Sequence, residues 1–280
     1  MNRTRIFLIA CIILFLIIAS LVKFYTKKEA YHTPLALEDI RIYAIHKKEM
    51  DKRRPRLEKM LQTYFSDNIV EITEPIGVDY LRNNLSILYT SGTLSNKAYQ
   101  DLLYNMMVHT KTNHGALTIS SLSLYMTNLL IMEKESSSVN YNYIMIVEDD
   151  ILVRDGFDRR FRSILRHLPE DWDILYLACH FPREMIDSME LVSINKEEDF
   201  KIVRMSTRIH GTGALLYHPR ALPKVLKMLL PIDLQIDHDI PDKLVLTGNL
   251  QTYIALTLQD TPLIHNDNQF YGSSTQTTDE

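Results

Sequence analysis

Cysteine is scarce in this chain, and an excess of positive charge is absent. Two cysteines occur in 280 residues. Cys11 lies in an apolar N-terminal run and Cys179 in the polar remainder, so they form no intrachain disulfide, and the body of the chain needs no oxidising compartment. The net charge of −4 gives no global basic footprint for nucleic acid. Local basic runs exist, such as "HKKEMDKRRPR" from His46 to Arg56, but acids are interleaved with them. That mixture fits a solvated helix face or contacts to a phosphate-bearing ligand. There is no internal repeat and no low-complexity segment.

Long apolar runs are equally scarce. The one present, Ile6 to Val22 ("IFLIACIILFLIIASLV"), holds 17 residues without a charge. As a helix it spans about 26 Å, close to the hydrocarbon thickness of a bilayer. Arg3 and Arg5 precede it, and Lys23, Lys27 and Lys28 follow. A cleaved signal peptide is the rival reading, but it has a shorter apolar region and a small-x-small site, which does not precede Lys23. The expectation is an uncleaved single-pass anchor. Residues 1–28 then form a short tail and transmembrane helix, 29–38 a stem, 39–272 one soluble domain, and 273–280 a flexible tail. Basic residues on both sides leave the orientation open.

Within the domain, strand-like and helix-like patterns alternate. Ile40 to His46 ("IRIYAIH") reads as a strand. The following helix carries Leu57, Met60, Leu61 and Phe65 on one face, with Pro55 in its first turn. Asn68 to Thr73 reads as a second strand. Tyr80 to Asn113 is polar and shows no clear period. Ala116 to Glu135 reads as a long helix, with its Tyr/Met stripe in the core. Tyr143 to Val147 is a strand. A helix with Phe157, Phe161, Ile164 and Leu165 follows, capped by Asp155. Trp172 to His180 is a further strand. Gly211 to Gly213 reads as a turn, Ala214 to Tyr217 as a strand, and a helix starts at Pro219. The alternation predicts an α/β fold with a central, mostly parallel sheet.

The acids at the end of the Tyr143 strand are not explained by folding. Glu148, Asp149 and Asp150 are adjacent. Like charges repel, and carboxylates are rarely buried unless paired or bound to a cation. In open α/β sheets ligands bind beyond the carboxyl ends of strands, which is where these acids fall. Paired carboxylates suit a hard cation, Mg²⁺ or Mn²⁺, that shares its shell with substrate phosphates. By itself a run of three acids is a weak signal.

The surrounding segments strengthen it. "RIYAIHKKEMDKRRPRLEKML", "GALTISSLSLYM", "YIMIVEDDILV", "WDILYLACH", "GTGALLYHPRALPKVLKML" and "PIDLQIDHDI" occur in that order. Together, over residues 40–276, they resemble the glycosyltransferase family 25 proteins, which include lipooligosaccharide glycosyltransferases and collagen β-galactosyltransferases. The resemblance implies a GT-A-like, Rossmann-type nucleotide-sugar domain. It also implies a UDP-sugar donor, a divalent metal, inversion at the anomeric carbon, and a glycan or glycoprotein acceptor. A lumen-facing position in the ER or Golgi follows if the source is eukaryotic or viral. In that setting "NLS" at Asn84 to Ser86 is a glycosylation acceptor.

Carried over by residue, Glu148 and Asp149 contact the donor, and Asp149 with Asp150 holds the metal. Arg53 and Arg54 match the basic residues of the first motif. Gly211, Thr212 and Gly213 match the glycine turn that lets a sugar approach the backbone. Two departures stand out. His46 occupies a position where the family usually has Asn. The family's Gly-Cys-x-x-Ser-His is here "GALTISSLSLY", with Gly115 and serines but no Cys or His. That departure raises a second reading, a non-catalytic carbohydrate-binding or scaffold protein on the same fold.

A second acid cluster, Asp233, Asp237 and Asp239, lies in "PIDLQIDHDI". An inverting transfer needs a base for the acceptor hydroxyl. Each of the three is a candidate, Asp233 first because it matches the family's Pro-x-Asp. The alternative is a helix N-terminus with acids favoured by the helix dipole. His210 and His238 fit metal ligands, acceptor contacts or ordinary surface residues.

Overall fold

Five of the six residues of β1 (Ile40–Ile45) are buried, so the strand is covered on both faces. A computed structural model of the chain describes residues 37–108, 115–137 and 143–266. The expected anchor, the C-terminal tail and all of the stem but Leu37 and Glu38 lie outside those residues, and no described helix is long and apolar enough to cross a membrane.

After β1 comes α1 (Arg54–Tyr64), which starts with Pro55 in its first turn and buries Leu57, Met60 and Leu61. The chain continues through β2 (Ile69–Thr73), α2 (Val78–Thr90), α3 (Asn96–Val108) and α4 (Ile119–Ser136). The helix expected from Ala116 begins three residues later because Thr118 caps it. The Thr118 hydroxyl accepts from the Ser121 amide, and the Ser121 hydroxyl accepts from the Thr118 amide. Leu122, Tyr125 and Met132 of its Tyr/Met stripe are fully buried.

Next come β3 (Tyr143–Glu148), β4 (Ile151–Val153) and α5 (Phe157–His167). The expected α5 apolar face, Phe157, Phe161, Ile164 and Leu165, is buried. Its N-cap is Gly156 at φ 73°, not Asp155, and makes no side-chain cap. The rest is β5 (Ile174–His180), α6 (Arg183–Ile186), β6 (Glu190–Asn195), β7 (Phe200–Arg204), β8 (His210–Tyr217), α7 (Leu222–Leu229), α8 (Ile236–Asp239), β9 (Thr252–Leu256) and β10 (Ile264–Asn266).

Eight strands form one sheet in the order β2-β1-β3-β8-β5-β9-β7-β6. The domain is α/β, as expected, and six of these strands run in one direction. The pairing is nonetheless mixed. β1–β2, β1–β3 and β5–β9 are parallel. β8 runs antiparallel to both β3 and β5, and β7 antiparallel to β6 and β9. Gly211 to Gly213, expected as a turn, lie inside β8.

The parallel half positions the site. Ile45 pairs with Thr73 on one side and with Glu148 on the other, so the carboxyl ends of β2, β1 and β3 finish level. The turn carrying Asp149 and Asp150 is fixed beyond that edge, because β4 pairs antiparallel with β10.

Candidate functional site

The level ends of β1, β2 and β3 open into a cavity of about 320 Å³. The β1 side supplies Ile45, Lys47, Glu49 and Arg53. Glu74, Pro75, Ile76, Gly77, Val78 and Asp79 come from the end of β2 and the start of α2, while α4 adds Ser120, Ser123 and Leu124. Glu148, Asp149 and Asp150 close it from β3. α2 begins at Gly77 without a side-chain cap. Gly77, Val78 and Asp79 at that end line the cavity.

The three acids differ. Both oxygens of Asp149 are engaged: Oδ2 lies 2.8 Å from His46 Nδ1 and Oδ1 lies 2.5 Å from Arg53 Nη1. These contacts tie the β3 turn to the loop after β1. His46 thus reaches the carboxylate through a ring nitrogen. Asp150 lies 3.7 Å from Arg53 Nη1 and is 7% exposed. Glu148 accepts a hydrogen bond from the Thr212 hydroxyl at 3.0 Å. Its carboxyl is held well above the ordinary range, first by burial and then by the charge of Asp150, against the lowering effect of Thr212. Burial beside a second carboxylate disfavours the ionised form, and a cation bound there would reverse that preference. A hard divalent cation fits Glu148 and Asp150 by donor type, whereas at Asp149 it would share or displace His46 and Arg53.

The other residues singled out in the sequence separate. Arg53 lines the cavity, but Arg54 faces a neighbouring hollow of about 400 Å³ with His46, Lys48 and Asp51, and pairs with Glu58 at 2.6 Å. Thr212 reaches the acids. Gly211 packs against another strand: at φ 92°, a Cβ there would sit 2.9 Å from His180 Cδ2. Neither Gly211 nor Gly213 lines the cavity.

The second cluster divides likewise. Asp239 is 1% exposed and accepts from the Tyr125 hydroxyl and the Asp233 amide, each at 3.0 Å, with Lys243 Nζ also at 3.0 Å. It organises the turn before α8. Asp233 pairs with Lys243 at 2.8 Å; burial would raise its carboxyl, but Lys243 and Ser95 hold it below the ordinary range. Asp237 is the member whose charge reaches Glu148. It belongs to a compact group with His210 and His238, able by donor type to hold a metal ion.

Lys47 comes from the basic run that fits phosphate contacts, whereas the segment Glu74 to Asp79, Ser120 and Ser123 line the cavity without a role assigned from the sequence. "EPIGVD" follows directly on a strand, and a Pro/Gly pair at a strand's carboxyl end was the available signal. No protein-family model and no curated protein matches this chain.

Proposed function

We propose that the chain is a metal-dependent glycosyltransferase. It takes a UDP-sugar in the cavity at the ends of β1, β2 and β3 and moves the sugar, with inversion, to a hydroxyl of a glycan or glycoprotein. The observation that carries this reading is the composition of that one cavity. Cationic side chains (Lys47, Arg53), apolar walls (Ile45, Pro75, Ile76, Val78, Leu124) and the β3 carboxylates line the same space. A nucleoside diphosphate complexed to a cation has the matching parts: a planar base, two phosphates and a divalent charge. Mn²⁺ or Mg²⁺ on Glu148 and Asp150 supplies neutralisation of the diphosphate leaving group. Arg53 holds the acidic turn in register with the β1 loop. The fold reading that accompanies this function is GT-A-like, with β2-β1-β3 as the nucleotide half. Ile6 to Val22 anchors the enzyme in the membrane as a single pass, so the full chain is expected to stay in the membrane fraction after alkaline extraction. Release under those conditions, or a mature N-terminus just past residue 22, overturns the anchor.

The test is incubation of the full chain with a panel of UDP-sugars and Mn²⁺, following UDP release. Asp150→Asn, which keeps the size and removes the charge, is expected to weaken Mn²⁺-dependent UDP binding at least about tenfold with the fold intact. Unchanged affinity by calorimetry removes the β3 acids from the donor site. The engagement of both Asp149 oxygens favours one second reading, a carbohydrate-binding or scaffold protein without turnover. It predicts UDP binding with no UDP release from any donor.

A further inference from the structure

We propose that His210, Asp237 and His238 form a second cation site, one that takes an imidazole-preferring divalent ion such as Zn²⁺ or Co²⁺. One ligand atom from each residue lies within 4.8 Å of the others. Two ligand atoms on a common ion at about 2.1 Å stand roughly 3.4–4.2 Å apart, so small side-chain rotations bring the three onto one ion. The His210 and His238 rings are already 4.2 Å apart between centroids, tilted by 44°.

Separate parts of the fold are shaped to bring these rings together. His238, 7% exposed, packs directly over Gly115. A Cβ at that glycine would lie 2.9 Å from both Cε1 and Nε2 of the ring, and the Gly115 backbone sits at φ 87°, where side chains are disfavoured. The same backbone is tied to the turn before His238: the Gln235 amide donates to the Gly115 carbonyl at 3.1 Å, and Gln235 Nε2 to the Ala116 carbonyl at 2.8 Å. His210 opens β8, opposite His180, just past a break in register. Bulges of this kind re-aim a side chain. Asp237 stands in the first turn of α8, next to His238.

The donor set decides the ion. Two imidazoles and one carboxylate suit Zn²⁺, Co²⁺ or Fe²⁺, whereas Mg²⁺ prefers oxygen alone. The β3 acids, all oxygen, are the contrasting set. The charge of Asp237 acts on Glu148, so the two sites are electrostatic neighbours. This second site does not depend on the glycosyl-transfer reading.

The experiment uses the untagged full chain in detergent, stripped with a chelator and titrated with Co²⁺ while the visible d–d bands are followed. Wild type is expected to bind one equivalent with the intense bands of a four- or five-coordinate ion, displaced by Zn²⁺ and not by equimolar Mg²⁺. His210→Gln and Asp237→Asn, both at partly exposed positions, are each expected to weaken Co²⁺ binding at least about tenfold. Asp150→Asn is expected to leave it unchanged. Only weak octahedral bands in the wild type overturn the site without recourse to any variant. Wild-type affinity in both ligand variants, or loss in Asp150→Asn instead, also overturns it. Failure of UDP to bind the wild type, with Co²⁺ binding retained, counts against the glycosyltransferase reading alone.

Discussion

Arg53 and Asp149 have side chains only 4% and 9% exposed, and they meet at 2.5 Å. A pair at that depth loses much hydration, and its attraction roughly offsets the loss; removing one partner leaves an uncompensated charge and costs about 3–5 kcal/mol. Arg53→Met is therefore expected to lower unfolding free energy by about 3 kcal/mol, toward the low end because His46 still holds the other oxygen of Asp149. Arg53→Met combined with Asp149→Leu should recover most of that loss. Chemical denaturation of both variants checks it: a single-variant loss under about 1 kcal/mol would mean that water reaches the pair. The three β3 acids were legible in the sequence because they contradict the apolar run before them. The division of labour among them was not, since it depends on His46, Arg53 and Thr212, which arrive from the loop after β1 and from β8. The His210–Asp237–His238 group was illegible as a unit for the same reason. His210 stands on β8 and the adjacent Asp237 and His238 on α8, and only the fold brings the two elements together.

Two glycine turns allow a controlled comparison between elements. Gly115, before α4, and Gly248, before β9, both have positive φ, at 87° and 67°. A Cβ at Gly248 meets nothing within 4 Å, while one at Gly115 meets the His238 ring. Gly248→Ala should cost only the left-handed backbone penalty, about 1–2 kcal/mol. Gly115→Ala should cost more, and the excess measures how firmly α8 presents His238; equal losses in thermal or chemical unfolding would show that the ring simply moves aside. Element by element, legibility followed burial. β1, β3 and α5 announce themselves because nearly all of their apolar residues are buried, in a run or at helical spacing. α2 and α3 do not, because Tyr80, Ile87, Tyr104 and Met107 are exposed and blur the apolar stripe. β6 is hidden similarly: it is an edge strand with Leu191 and Ile194 about half exposed. The mixed pairing of the sheet was beyond reach of local pattern, since β8 enters between β3 and β5 from a distant part of the chain.

Across the whole molecule, the two ends of the sheet do different work. The carboxyl ends of β1, β2 and β3 carry the cavity and its acids. At the opposite end, where β3 begins and β8 finishes, His218 is wedged between aromatic rings: Tyr143 at 5.0 Å and Trp172 at 5.2 Å between centroids, both edge-on. Its Nδ1 accepts from the Arg220 amide at 3.2 Å. Burial, and secondarily the Arg220 guanidinium, pushes the imidazole down to about 3 from 6.5. The folded chain thus keeps His218 neutral where the unfolded chain protonates it. Between pH 6.5 and 3 the unfolded state binds the extra proton, so stability is fully present above 6.5 and falls as the pH drops through that window. The slope approaches about 1.4 kcal/mol per pH unit in the middle of the range. His218→Gln removes the titration, so its unfolding free energy measured from pH 6 to pH 4 should fall less steeply than wild type by nearly one proton. UDP and Co²⁺ binding at neutral pH should be unaffected, because the substitution lies at the far end of the sheet from both sites. Parallel pH slopes for the two proteins would show that His218 is already charged in the fold, and the aromatic wedge would then have to be a cation site in its own right.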